Sequence, residues 1–386
     1  MTYIVGGLEM ERPFRIRRIG HYGHHCENIQ STVHFMANQL GLIPSDWYDA
    51  TGRCPELSRE DATGWFFRCG TDHHALVVAS QILTDTLEPQ RKGEPVNQLA
   101  WQIGSVQEVV DAVAYLDKNA RLRRIGRDAP GSNYHAYAYD PDGYVNEVFY
   151  GIEQIGWQGE SKPRNMHVLG LKDLPVLPCS PEYAEVNDFR RRGEAVNGFH
   201  WQDDRPCDYV VEGLSMPQPF KLTRLGRVTL FVSDLQRSLD FYTRVLGLTV
   251  SCMSVVYGHE CAFLRAADEH HTLALYPEAL KTRLGFVTAY GMPVATYQQL
   301  QNAHAYFVAQ GVKILDLPVE MTPGVHYGFW VQGPDRVAVH IYYGMDRVAT
   351  DGRLPDTLPR PPADWPASIV HGGSAWFDPP FDGPWA

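Results

Sequence analysis

The sequence predicts an α+β chain of two similar halves, each reading strand, helix, strands, then the same again. Three observations predict this. Blocks of the first half return in order in the second. Apolar spacing alternates between helical and strand-like periods inside each half. Aperiodic stretches rich in Pro, Trp and charge separate and follow the halves.

The repeat has four ordered blocks, and repeats of this kind set the architecture of a whole chain. Arg18-Ile-Gly-His-Tyr-Gly followed by Phe35–Leu42 returns as Arg224-Leu-Gly-Arg-Val-Thr followed by Phe241–Leu248, at an offset of 206. Phe66–Leu76, containing His73-His74, returns as Phe263–Leu273 with His270-His271, at an offset of 197. Ala114-Tyr-Leu matches Ala305-Tyr-Phe at 191, and Asp140–Gly151 matches Gly333–Gly344 at 193. The offset drifts because loops absorb insertions between the matched blocks.

Residues 224–232 read as a strand, and Ser233-Asp234 opens a helix with apolar spacing at Leu235, Leu239, Tyr242 and Leu246. Gly247 closes it as a C-terminal cap. Residues 253–277 alternate as strands do. Residues 105–119 (Val106, Val109, Val110, Val113, Leu116) form a second amphipathic helix. The hairpin-like stretch 134–150 then turns at Asp140-Pro-Asp-Gly. These boundaries divide the chain into 1–152, a connector at 153–219, a second half at 220–346 and a C-terminal tail at 347–386.

Composition narrows the function. With 34 Lys and Arg against 45 Asp and Glu the net charge is −11. A nucleic-acid binder needs a basic face, and the runs Arg121–Arg127 and Arg190–Arg192 are short enough to read as solvated loop surface. No apolar stretch is long enough to span a bilayer, and the N-terminus lacks a signal-peptide pattern. Seven scattered cysteines without a CxxC pair point to reduced thiols, so cytoplasm is the expected compartment.

Gly-His on a strand start, Phe-x-x-x-x-Leu-Gly-Leu, Phe-x-Arg-x-x-x-x-His-His-x-Leu and Asp-Pro-Asp-Gly-x-x-x-Glu-Val-Phe together resemble type I extradiol ring-cleaving dioxygenases of the vicinal-oxygen-chelate superfamily. Glyoxalase I and the fosfomycin-resistance proteins belong to it too. The resemblance covers about residues 15–152 and 220–346. It implies two tandem vicinal-oxygen-chelate domains, four βαβββ modules in all, whose sheets enclose pockets.

It also implies a metal held by three donors, which fall here on His21, Gln98 and Glu147. A ring-cleaving enzyme carries His where this chain has Gln98, while glyoxalase-like sites use Gln as a ligand. A triad of two His and one carboxylate suits Fe(II), so the amide makes the site harder. The corresponding positions of the second half, Arg227, Ala289 and His340, cannot chelate as a set. Two-domain dioxygenases usually hold the metal in the C-terminal domain, so the arrangement is inverted. By the same resemblance His74 is the acid–base group beside the metal, titrating near neutrality, and Tyr137 hydrogen-bonds a ligand oxygen. The family's further histidine belongs near Asp128. His135, on one strand face with Tyr137, is the nearest candidate and a substrate contact. His25, on one face with His21 and Gly23, is a second.

The expected activity is therefore oxidative opening of a catecholic ring with Fe(II) or Mn(II), in the manner of aromatic-compound degradation. The expected partners are a small aromatic substrate and O2, with no nucleic acid or membrane, and further copies of the chain in a homo-oligomer. Two other classes stand beside it. One is a non-redox isomerase, lyase or hydrolase of the same fold, which Gln98 favours. The other is a metal-free pocket that binds an aromatic ligand.

Overall fold

The computed structural model describes residues 2–127, 131, 133–155, 174–196, 205–349, 351–355 and 357–369. Asp128, parts of the 153–219 connector and the end of the 347–386 tail lie outside them.

Two eight-stranded mixed sheets form the body. The first is ordered Ile43–Asp49, Thr63–Arg68, Leu76–Ser80, Arg18–Cys26, Val96–Gln102, Val145–Tyr150, Tyr134–Tyr139, Arg121–Arg127. The second repeats that order: Thr249–Val256, His259–Arg265, Leu273–Pro277, Arg227–Val232, Thr288–Pro293, Val337–Met345, Val325–Gln332, Ile314–Leu315. Each sheet is two βαβββ modules. In each module the first strand runs parallel to the last, and the two first strands meet antiparallel at the centre. Four such modules are what the repeat implied.

The central strands are buried on both faces, so Arg18–Cys26 exposes only its first residue. Its alternation separates two tasks. His21 faces the interior of its own half. Tyr22 and His24 face the other half, where Tyr22 bonds the Thr288 hydroxyl and His24 stacks on Tyr290 at 6.1 Å. Tyr144 donates to the Phe231 carbonyl at 2.7 Å and Tyr242 to Asp140 at 2.8 Å. One hydrophobic core cluster runs through both halves.

The helix that opens at Ser233-Asp234 starts as predicted, with Asp234 accepting from the Arg237 amide at 3.0 Å. It does not end as an α-helix. Residues Phe241–Val245 form a π-turn, as do Phe35–Gln39. The spacing explains this: Phe241 and Leu246 are both buried and five apart, and the Leu246 amide bonds the Phe241 carbonyl at 3.1 Å. Gly247 follows with φ +85.

Two expectations need correction. The run Arg121–Arg127 is an edge strand rather than a loop, because its guanidiniums stack on neighbouring tyrosines: Arg121 on Tyr139 at 4.0 Å and Arg124 on Tyr137 at 4.6 Å. Arg190 and Arg191 close the helix Glu182–Arg191, where cations oppose its dipole. Within the connector, the hairpin Tyr209–Val211/Leu214–Met216 mirrors Tyr3–Val5/Leu8–Met10. Tyr209-Val-Val-Glu-Gly-Leu-Ser-Met216 matches Tyr3-Ile-Val-Gly-Gly-Leu-Glu-Met10 at the same offset of 206, a fifth repeat block that the four-block reading leaves out. None of the seven cysteines is in a disulfide. Among the described residues no helix is long and apolar enough to cross a membrane.

Candidate metal centre

Three adjacent strands build the site around Ala100. His21 on Arg18–Cys26 and Glu147 on Val145–Tyr150 both pair with Ala100, from opposite sides. Gln98 lies two residues earlier on the same strand and face. A methyl group at Ala100 leaves the space between them open. Gly20, whose Cβ would lie 2.3 Å from the Phe149 ring, lets that ring approach His21 to 5.0 Å.

The three side chains converge. His21 Nε2 is 2.9 Å from Glu147 Oε2, and the Gln98 amide nitrogen is 3.0 Å from each. His21 and Glu147 are buried and Gln98 is half-buried. Donor atoms on one face of an octahedron with bonds of about 2.1 Å stand about 3.0 Å apart, so this triangle has the dimensions of a facial metal triad. Half a turn of the Gln98 amide places its oxygen at the third corner, and such an assignment follows the hydrogen-bond partners present. Among the described residues no group of three or more His, Cys, Asp and Glu has this arrangement; the third donor here is an amide.

Electrostatics suit a cation. Burial alone would raise the Glu147 carboxyl, but His21, His135 and the Asn133 amide hold it down at about 2. It is therefore a buried carboxylate at neutral pH. Asn133 Nδ2 donates to its other oxygen at 2.8 Å, and Asn133 Oδ1 accepts from His135 Nδ1 at 2.7 Å. Nothing in the sequence singled out Asn133. Its signal is only its place two residues before His135, at the entry to the Tyr134–Tyr139 strand. His21 Nδ1 has no partner among the described residues.

His74 stands edge-on to His21 with ring centroids 4.3 Å apart, and edge-on to Phe66 at 5.0 Å. The expectation that it titrates near neutrality is overturned. Burial first, then His21 and His73, push it well below the ordinary histidine range, so it is a neutral imidazole. His73, which sequence reasoning left without a role, lies between His74 and a buried acid. His73 Nε2 lies 3.5 Å from buried Asp46, and His73 Nδ1 is 3.1 Å from His74 Nδ1. With the His73 proton held toward Asp46, His73 Nδ1 accepts from His74 Nδ1–H. That leaves the His74 Nε2 lone pair bare. The second half keeps the pair, with His270 and His271 Nδ1 atoms 3.1 Å apart, but the position matching Asp46 by strand register is Cys252. The acid is thus peculiar to the half with the donor triad.

Tyr137 pairs across the sheet with Glu147 and lies against His135 with tilted rings 4.5 Å apart. Both are buried beside the triad. His25 is placed differently. Its Nδ1 is 2.6 Å from the Glu94 carbonyl and its Nε2 is 2.9 Å from the Asn97 amide, so both nitrogens tie down the start of the Val96–Gln102 strand.

In the second half the same register holds Arg227 and His340 on either side of Gly291, with Ala289 in the place of Gln98. These residues offer no donor triad.

Residues 18–148 and 224–341, well over half of the chain, match the model of the Glyoxalase/Bleomycin resistance protein/Dioxygenase superfamily. A 2,2',3-trihydroxybiphenyl dioxygenase of Sphingomonas paucimobilis is 27% identical over 168 residues, 42% of this chain and 55% of that relative. The chain thus spans about half the length of the curated relative it matches. Among solved structures, the 2,3-dioxygenase LapB of a Pseudomonas species superposes with a TM-score of 0.56 at 14% identity, covering 89% of this chain and 97% of that one. The Mn(II)-bound glyoxalase of Novosphingobium aromaticivorans gives 0.55 at 16%, covering 90% and 89%. At these identities the structural likeness shows the fold. The family match, on two tandem domains of that fold, shows that the chain belongs to the Glyoxalase/Bleomycin resistance protein/Dioxygenase superfamily.

Proposed function

We propose that the chain is a divalent-metal dioxygenase that opens a catecholic ring, with its metal in the N-terminal half. The observation that supports it best is the triangle of His21, Gln98 and Glu147 with a neutral, tautomer-fixed His74 in ring contact with His21. Fe(II), or Mn(II), would be held by His21 Nε2, the Gln98 amide oxygen and Glu147, and supplies Lewis acidity toward the substrate hydroxyls and redox access to dioxygen.

The chain's residues would do the rest. His74 Nε2, a lone pair in a buried pocket, takes a proton from a substrate hydroxyl and returns it to a leaving oxygen. The low basicity that burial imposes favours the return. Asp46 and His73 hold His74 in the tautomer that can accept that proton. Tyr137 and His135, across from Glu147, line the side where a hydroxyl or a bound oxygen needs a hydrogen-bond partner. Phe66 and Phe149 exclude water and offer ring faces to an aromatic substrate. The curated relative, named as a dioxygenase of a trihydroxylated biphenyl, agrees with this substrate class.

One observation favours a second reading. An amide in place of an imidazole suits a hard metal better than iron, and so a non-redox isomerase, lyase or hydrolase. Oxygen uptake with a panel of substituted catechols, after anaerobic reconstitution with Fe(II), separates the two. Uptake with any of them supports ring cleavage. None, in protein holding one iron per chain, moves the assignment to the non-redox class.

A further inference from the structure

The second half holds a buried charge that no carboxylate balances among the described residues. Arg227 replaces His21 at the same register and has no exposed surface. Gly291 makes room for it: a Cβ there would lie 2.6 Å from Arg227 Cγ. The guanidinium sits 5.0 Å over the Trp330 ring. Its Nη1 donates to His271 Nε2 at 2.7 Å and to the Met321 carbonyl at 3.3 Å. Nε and Nη2 have no acceptor at hydrogen-bond geometry among the described residues, and the Tyr276 hydroxyl is close enough to interact with the guanidinium but already committed to the Met321 carbonyl.

The groups around it are neutral. Its polar neighbours are the hydroxyls of Tyr276 and Tyr342, and Tyr276 already donates to the Met321 carbonyl at 2.7 Å. His271 and His340 are held neutral, first by burial and then by Arg227 itself. His340 is stacked against Trp330 and Tyr342, with ring centroids 4.6 and 5.2 Å away, and its Nδ1 has no partner among the described residues. Among the described residues no carboxylate pairs with Arg227. A guanidinium does not shed its proton, and an uncompensated buried charge is costly.

The two open nitrogens are informative. Nε–H and one Nη2–H point in parallel from one edge of the guanidinium, the fork that meets both oxygens of a carboxylate. The other edge is consumed by His271 and Met321. We propose that the C-terminal half binds a monocarboxylate side-on at Arg227, a ligand site distinct from the metal centre of the N-terminal half. The core packed around it is aromatic, with Phe231, Phe263, Tyr276 and Trp330, and suits an apolar body behind the carboxylate. The half without a donor triad keeps one positive group at the matching place and uses it for an anion.

The test uses the full-length protein with its metal, at constant ionic strength, with chloride replaced stepwise by acetate or by benzoate. Thermal unfolding and isothermal titration are both read. The proposal predicts a saturable rise in melting temperature, as expected for a ligand of the folded state, with one carboxylate per chain by titration. Arg227→Lys keeps the charge and loses the fork, so its apparent affinity should fall at least tenfold. Benzoate tighter than acetate indicates a ligand with an aromatic body, and equal affinities a short-chain carboxylate; both support the site. No saturable binding of either anion to the wild-type chain overturns it, whatever the variant does. So does binding of equal strength in Arg227→Lys, which would place the anion elsewhere.

Discussion

Replacing Glu147 by Gln keeps the side chain's shape and removes the one charge buried at the donor triad. In metal-free protein its effect follows from the proton equilibrium. The carboxyl drops from its ordinary 4.5 to about 2 on folding. At about 1.4 kcal/mol for each pH unit this is about 3 kcal/mol of stability. Because the folded value is the lower one, that stability is fully present above pH 4.5 and is lost as pH falls through 2. Chelator-treated Glu147→Gln should therefore unfold about 3 kcal/mol more easily than wild type at pH 5, which is roughly 6–12 °C in melting temperature. The gap should close as the pH is lowered from 4.5 toward 2. Urea unfolding of both proteins at a series of pH values measures it. A gap independent of pH, or no gap at all, would refute the claim that His21, His135 and Asn133 hold a buried carboxylate.

Three further outcomes are expected. His74→Phe should slow turnover by about 10²–10⁴ while metal content is unchanged, since in the proposed function the imidazole moves a proton and ligates nothing; metal analysis and oxygen uptake on one preparation decide it. Asn133→Ala frees one oxygen of Glu147 and should weaken metal affinity about 10–100-fold, read by competition with a chromogenic chelator. Asp140 runs opposite to Glu147: burial pushes it up to about 7 against the hydrogen bonds from Tyr242 and the Tyr144 amide. Its folded value is raised, so it contributes stability below pH 4 that is lost as pH rises through 7. Asp140→Asn should flatten that decline, seen as a smaller change in urea midpoint between pH 5 and pH 8.

The sequence made the architecture legible because the repeat is written in residues that fix geometry. Gly247, Asp140-Pro-Asp-Gly and the His-His pairs each mark an element end or a turn, and their order alone gives two halves of two modules. The triad was legible through resemblance, and strand register explains why: His21, Gln98 and Glu147 are neighbours only across strands, at separations of 77 and 49 residues. No periodicity within one strand relates them. Asn133 and Asp46 stayed hidden for the same reason, since each acts through a partner on another strand. The π-turns were misread because five-residue spacing of Phe241 and Leu246 looks helical until the hydrogen bond is seen. The low basicity of His74 depends on burial by Phe66 and His73, which no local pattern records.

The central claim is that His21, Gln98 and Glu147 hold one divalent metal and that the C-terminal half holds none. Titration of chelator-treated protein with Mn(II), followed by electron paramagnetic resonance, tests it most directly. One tight site per wild-type chain is expected, and its loss in Glu147→Gln. No tight Mn(II) site in the wild-type chain, or a site of equal affinity in Glu147→Gln, would contradict it.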